Sequence, residues 1–263
     1  MGTGRDIYNI MKILKDYSAL SNLSNERNVY KIEYKGDICC YKTKAVQETE
    51  LLRSLGSSEH LPKLIDYNLE EGWLIKEWCP GTTLDHYVHW KDPDFWNAEK
   101  IRELYQFTKN LFDYLHPRNL VLQDFKSCNI SYGNKFMYFD LDWVVDAKTQ
   151  FKYLLGSEKY AFKSFESLYS TPLASTNDDY FSFANIIYDS LLSYPSWSNK
   201  HSDPMLAYTT FEDEYDKLSI MLSDTLTKLN LTVSEINFII DCFNPIKSGR
   251  PQVFDWTNYQ SSS

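Results

Sequence analysis

Residues 115–140 read LHPRNLVLQDFKSCNISYGNKFMYFD, and this stretch constrains the fold more tightly than any other. It carries Asp124, then Lys126 two residues on, Asn129 three further, and a second carboxylate at Asp140. Two short apolar runs, 130–132 and 136–139, flank Gly133-Asn134, a pair suited to a two-residue hairpin loop. Such a hairpin returns Asp140 to the end that holds Asn129. A carboxylate, a cation, an amide and a second carboxylate are the groups that take a proton from a hydroxyl and hold a divalent cation. The same loop read alone is an ordinary polar connection, so the rest of the chain has to decide.

Upstream, residues 28–34 (NVYKIEY) alternate, Lys35-Gly36-Asp37 makes a turn, and 38–42 (ICCYK) returns, which is a hairpin signature. Residues 45–55 place Val46, Leu51, Leu52 and Leu55 on one helical face. The runs 61–67 and 73–78 read as strands about a turn at 68–72. After Pro80-Gly81 the pattern changes, and 101–115, 180–192, 211–229 and 233–243 show helical apolar spacing. In this second part, strand character is expected only at 130–132 and 136–139. The fold class expected is α+β, in two lobes. Residues 1–79 form a small β-rich lobe with one short helix, and residues 80–263 form a larger, mainly helical lobe.

With this layout, the chain over about residues 20–256 resembles a compact, divergent eukaryotic-type protein kinase. By that resemblance Asp124 is the catalytic carboxylate, Lys126 the phosphate-side cation, and Asn129 and Asp140 the Mg²⁺ ligands. Residues 156–166 (GSEKYAFKSFE) resemble the end of an activation segment that closes on Glu166. Asp179-Tyr-Phe-Ser-Phe-Ala184 resembles the helix whose buried Asp anchors the catalytic loop. Residues 242–251 (CFNPIKSGRP) resemble the late Arg-Pro motif, which implies a bidentate pair between Arg250 and Glu166. Small-molecule kinases of related fold generally lack these last two motifs.

The first third matches less closely. Val29 aligns with the Val that follows the family's phosphate loop, and Asn22, Ser24 and Arg27 then stand where three glycines belong. Lys42 falls at the ATP-binding lysine, with Cys40 over the adenine. Glu48 is the helix glutamate that pairs with it, Glu50 being the alternative, although only six positions separate Lys42 from Glu48. Residues 74–81 resemble the hinge, whose backbone at Glu77 and Cys79 would bond the adenine edge. Lys76 falls at the back of the pocket, where a buried ammonium is costly unless it pairs with Glu48 or Asp140, or the strand is shifted. The family's His-Arg before the catalytic Asp is here Leu122-Gln123, which removes the usual receptor for an activation-loop phosphate. Its Asp-Phe-Gly is Asp140-Leu141-Asp142, and Asp142 reads either as an extra metal ligand or as a solvated turn residue.

The resemblance implies a Ser/Thr-type protein kinase that uses ATP and Mg²⁺, with Mn²⁺ as the alternative metal, on a protein substrate. A weak or inactive pseudokinase acting as a scaffold is the second reading, and a small-molecule kinase the third. In 263 residues the hydrophobic fraction is 43% and the aromatic fraction 16%, enough for a large core. A net charge of −9 argues against a dedicated nucleic-acid binder or an anionic-membrane binder. Five scattered Cys without a CxxC pair, and five His without ligand spacing, give neither a disulfide framework nor a zinc site. No apolar run spans a membrane and no signal-peptide core precedes the fold, so a cytoplasmic or otherwise intracellular protein is expected. The oligomeric state is not legible.

Overall fold

A computed structural model describes residues 17–24, 29–87, 92, 94–149, 173–192 and 204–260. The fold is mixed α+β, and the chain divides into two compact units. The first holds the described residues up to Gly81 together with Met137–Asp142, and the second holds Thr82–Phe136 and the described residues from Trp143 onward.

The first unit is built on β1 (Tyr17–Ser24), β2 (Val29–Tyr34), β3 (Asp37–Thr43), β4 (Leu64–Asn68) and β5 (Trp73–Glu77), with α1 (Val46–Leu55) between β3 and β4. The strands form one antiparallel sheet in the order β1-β2-β3-β5-β4. Tyr34 pairs with Asp37 across a two-residue loop in which Lys35 and Gly36 have φ of 54° and 89°. Left-handed backbone at both positions matches the twist of the flanking strands, and Gly36 adopts it without a Cβ penalty. Alternation then sorts the side chains. Tyr30, Ile32, Tyr34, Cys39, Tyr41, Trp73 and Ile75 share one face and pack as an apolar cluster. Register puts Cys40 opposite Lys76 and Lys42 opposite Leu74, on the other face. A slip of one residue would exchange the two sets, so the apolar face fixes where the two lysines point.

After Gly81, β6 (Thr82–Thr83) precedes α2 (Ala98–Leu115), β7 (Leu120–Val121), β8 (Ile130–Tyr132), β9 (Phe136–Tyr138), of which Met137 and Tyr138 belong to the first unit, and β10 (Val145–Asp146). Then come α3 (Thr176–Leu191), α4 (Pro204–Lys228) and α5 (Val233–Cys242). β6 pairs with β8, and β10 with β7. The expectation of strands only at 130–132 and 136–139 is therefore corrected. β6, β7 and β10 are two residues each, too short for alternation to register.

α2 and α3 start earlier than their apolar spacing indicates, because polar caps set their first turns, whereas α5 starts at Val233 as expected. Asn97 accepts the Lys100 N–H at 2.9 Å, and Ser175/Asp178 and Thr232/Glu235 form reciprocal capping boxes. Along α2, Ile101, Leu104, Tyr105, Thr108, Leu111, Phe112 and Leu115 make the buried stripe. Tyr105 stacks on Trp256 with ring centroids 3.5 Å apart, and its hydroxyl accepts the Trp256 N–H at 3.0 Å.

Arg102 on α2 reaches Glu235 at the start of α5 with bonds of 2.6 and 2.9 Å. Burial raises the Glu235 pKa, but Arg102 and the Thr232 bonds outweigh it and hold the carboxyl below its ordinary 4.5. A lowered native pKa stabilises above the ordinary value, and that contribution is lost as pH falls through the native one. Arg102→Met is therefore expected to cost stability at neutral pH, with the gap to wild type narrowing as pH falls through the native carboxyl pKa. Urea titrations at neutral and acid pH check this, and a gap that widens in acid would contradict it.

Candidate functional site

The chain passes from β3 into α1 within two residues because Lys44 takes left-handed backbone, φ 57°, and the Ala45 N–H bonds the Gly72 carbonyl at 3.0 Å. That tight corner answers the short spacing between Lys42 and Glu48. Glu48 lies in the first turn of α1, where the helix dipole favours a carboxylate, and it faces the lysine side of the sheet. Its side chain is fully buried. The Lys42 ammonium lies 2.7 Å from Glu48 Oε2, 2.7 Å from Asp142 Oδ2 and 3.3 Å from Asp140 Oδ1. Lys76 donates to the other Glu48 oxygen and, at 2.6 Å, to the Phe139 carbonyl. Glu50, the alternative partner, is exposed.

Two buried ammoniums and three carboxylates thus share one cluster in the first unit. Burial alone would drive both lysines neutral, but the carboxylates hold their pKa values above the ordinary range. Burial likewise pushes Glu48 up, and Lys76 and then Lys42 pull it below the usual carboxylate value. Asp142 is pulled both ways. Burial and the neighbouring Asp140 raise its pKa, Lys42 lowers it, and the upward pull prevails.

Asp142 sits at a turn with its carboxylate 32% exposed, as the turn reading expects, and it is in addition bonded to Lys42. Lys76 needs no shift of its strand, since Glu48 and the Phe139 carbonyl satisfy it. Oxygens of Glu48, Asp140 and Asp142 all lie within 4.8 Å of one another. Carboxylate oxygens are the donors that hard divalent cations take, but here the Lys42 ammonium bonds all three carboxylates.

Cys40 is buried on the lysine face, where desolvation raises its thiol pKa. At Cys79 burial pushes the thiol to about 12, so it is a neutral lining group. Of the backbone expected to face a base, the Glu77 N–H is already bound to the Lys63 carbonyl at 2.8 Å. Asn22 and Ser24 lie on β1, whose side chains are not described, and Arg27 lies outside the described residues.

In the second unit, the loop after β7 is fixed from beneath by Asp179 on α3. Its carboxylate accepts the Leu122 N–H at 3.1 Å, the Gln123 N–H at 3.3 Å and His116 Nε2 at 2.9 Å. Full burial raises the Asp179 pKa, and His116 and the Leu122 N–H oppose that rise. The clamp offsets a strained residue, for Gln123 has φ 59° and a non-glycine residue in left-handed backbone costs on the order of 1–2 kcal/mol.

The strained turn presents Asp124, which is buried. One of its oxygens lies 2.8 Å from the Lys126 ammonium, and the other accepts Asn129 Nδ2 at 2.9 Å. Asn129 also bonds the Asp124 carbonyl at 3.0 Å, closing the loop on itself. Asp124, Lys126 and Asn129 are thus brought together. The Gln123 amide beside them is buried, and among the described residues neither its oxygen nor its nitrogen has a hydrogen-bond partner. Strained backbone and an unsatisfied buried amide in one residue are the kind of cost that collects at functional loops.

His116 reads from sequence as packing at a helix end. It does stack on Phe112, with centroids 4.6 Å apart, but it also bonds Asp179. No pattern in the sequence marks that second role. Residues 156–166, with Glu166, lie outside the described residues. The Arg250 guanidinium is buried and donates to the carbonyls of Asn244, Asn177 and Pro245 at 2.7, 3.0 and 2.9 Å. Asp179→Ala leaves three buried donors without their acceptor. It is expected to lower stability by about 3 kcal/mol or more, with Asp179→Asn milder because one oxygen remains. Urea unfolding of the two variants checks the order.

No family model matches the chain. A local stretch of 57 residues is 35% identical to serine/threonine-protein kinase A-Raf of Mus musculus and, equally, to that of Homo sapiens. The stretch is 22% of this chain and covers 9% of the length of each relative. The chain therefore carries a short local similarity to serine/threonine kinases. Among the described residues, no helix is long and apolar enough to cross a membrane.

Proposed function

We propose that the protein is an ATP-dependent phosphotransferase of the Ser/Thr protein-kinase type, two-lobed, with 1–79 as the smaller lobe and 80–263 as the larger. The observation that carries this reading is the gathering of Lys42, Glu48 and Asp140 into one ion cluster. Asp140 lies 98 positions from Lys42 in the chain, and the resemblance assigns all three residues to nucleotide handling. The Asp124–Lys126–Asn129 loop held by Asp179 and the local similarity to serine/threonine kinases support it from other parts of the chain.

In this reading Glu48 holds the Lys42 ammonium in place, and Lys42 presents it to nucleotide phosphate oxygens. Asp124 orients an acceptor hydroxyl and takes its proton as the oxygen bonds to the γ-phosphorus. The bond from that phosphorus to the β–γ bridging oxygen breaks, and ADP leaves. Lys126 lies beside Asp124 and offsets negative charge on the moving group. By the resemblance, Asp140 of the first unit and Asn129 of the second are each assigned to Mg²⁺, which when bound would neutralise phosphate charge. Leu122-Gln123 supplies no arginine for an activation-loop phosphate, so activity is not gated by that route.

A second reading, a catalytically weak scaffold, is favoured by one feature: Lys42 already faces three carboxylates. Both readings are tested by incubating the protein with γ-labelled ATP, Mg²⁺ and mixed protein acceptors, beside a thermal shift with ATP and Mg²⁺. Label in protein together with a shift supports the kinase. A shift without label supports the scaffold, and neither signal removes both.

A further inference from the structure

We propose that Asp142 occupies the place on Lys42 that a nucleotide phosphate needs, so that Asp142 sets how tightly the protein holds nucleotide. This rests on the nucleotide-binding reading of Lys42 given above. A lysine ammonium has three N–H donors and no acceptor. Around Lys42 three carboxylate oxygens lie at 2.7, 2.7 and 3.3 Å, one for each donor. A phosphate oxygen can bond Lys42 only when one of the three withdraws.

The three carboxylates differ in their freedom to do so. Glu48 is fully buried, and its second oxygen is held by Lys76. The Asp140 side chain is 9% exposed, whereas that of Asp142 is 32% exposed. Asp142 is the one with solvent to turn into, and it makes the shorter bond of the two aspartates. Its charge acts in the same direction. The cluster holds two cations and three anions, so an incoming phosphate meets an excess of negative charge that vanishes when Asp142 is neutral. Of the two aspartates, Asp142 therefore competes for the phosphate's place, and Asp140 does not.

The test is equilibrium binding of ATP in EDTA to wild type, Asp142→Asn, Asp142→Ser and a control, Glu70→Gln. Glu70 is exposed and outside the cluster. Both Asp142 variants are expected to bind ATP about tenfold more tightly than wild type, with the control within about twofold of wild type. The serine variant keeps the test standing if the asparagine amide still bonds Lys42. Measurable wild-type binding with unchanged or weaker affinity in both Asp142 variants overturns this inference alone. An equal gain in Glu70→Gln does the same, since it would reduce the effect to bulk charge. No ATP binding by any of the four proteins, in EDTA or in Mg²⁺, removes the nucleotide reading and the inference with it.

Discussion

Asp124→Asn is expected to lower phosphoryl transfer by about 10²–10⁴-fold while the protein stays folded. The substitution keeps the volume of a buried side chain and leaves one oxygen to accept from Lys126 or Asn129. What it removes is the basic oxygen that would receive the acceptor's proton. The Asp179 clamp on the backbone at Leu122 and Gln123 is untouched, so the loop should hold its shape. Binding of ATP should change little, because Lys42, Glu48 and Asp140 remain. A variant that loses ATP binding along with transfer would place Asp124 in the nucleotide's cradle rather than beside the acceptor.

The second large effect is on stability. Glu48→Gln is expected to cost about 3–5 kcal/mol, since it leaves the buried Lys76 ammonium without a carboxylate and removes one of the three on Lys42. Lys76→Met should cost far less, about 1 kcal/mol or under, although it removes a residue of the same cluster. The asymmetry comes from desolvation. Removing Lys76 takes away a buried charge and leaves Glu48 still paired with Lys42 at 2.7 Å, whereas removing the Glu48 charge leaves Lys76 with only the Phe139 carbonyl, Lys42 keeping Asp140 and Asp142. Against a total stability of about 5–15 kcal/mol, the first loss endangers folding and the second does not. Urea titration of both variants decides it, and equal losses would show that Lys76 does not depend on the Glu48 charge.

Much of this arrangement is legible in the sequence where side-chain chemistry and periodicity coincide. The hairpin about Lys35-Gly36, α1 and the apolar bodies of α2, α3, α4 and α5 follow from alternation or helical spacing. Asp179 is recognisable as the anchor of the Asp124 loop because its motif has a fixed place in the chain. Elsewhere a backbone detail decided matters that residue types cannot express. The six-position gap from Lys42 to Glu48 looks too short until Lys44 turns left-handed. Lys76 has three readings on paper, and only the register Cys40 opposite Lys76 settles which face it takes. Asp142 reads as a turn residue because turns favour Asp, and its bond to Lys42, 100 positions away, leaves no local trace. β1 was not legible as a strand. Its sequence YSALSNLS is rich in Ser and Asn, and its pairing with β2 is broken by two register shifts.

The most direct measurement is transfer of the labelled γ-phosphate of ATP, in Mg²⁺, by wild type, Asp124→Asn and Asp140→Asn side by side. Transfer by wild type and its loss in both variants is the expected result. Equal transfer by all three would contradict the assignment of these carboxylates to catalysis.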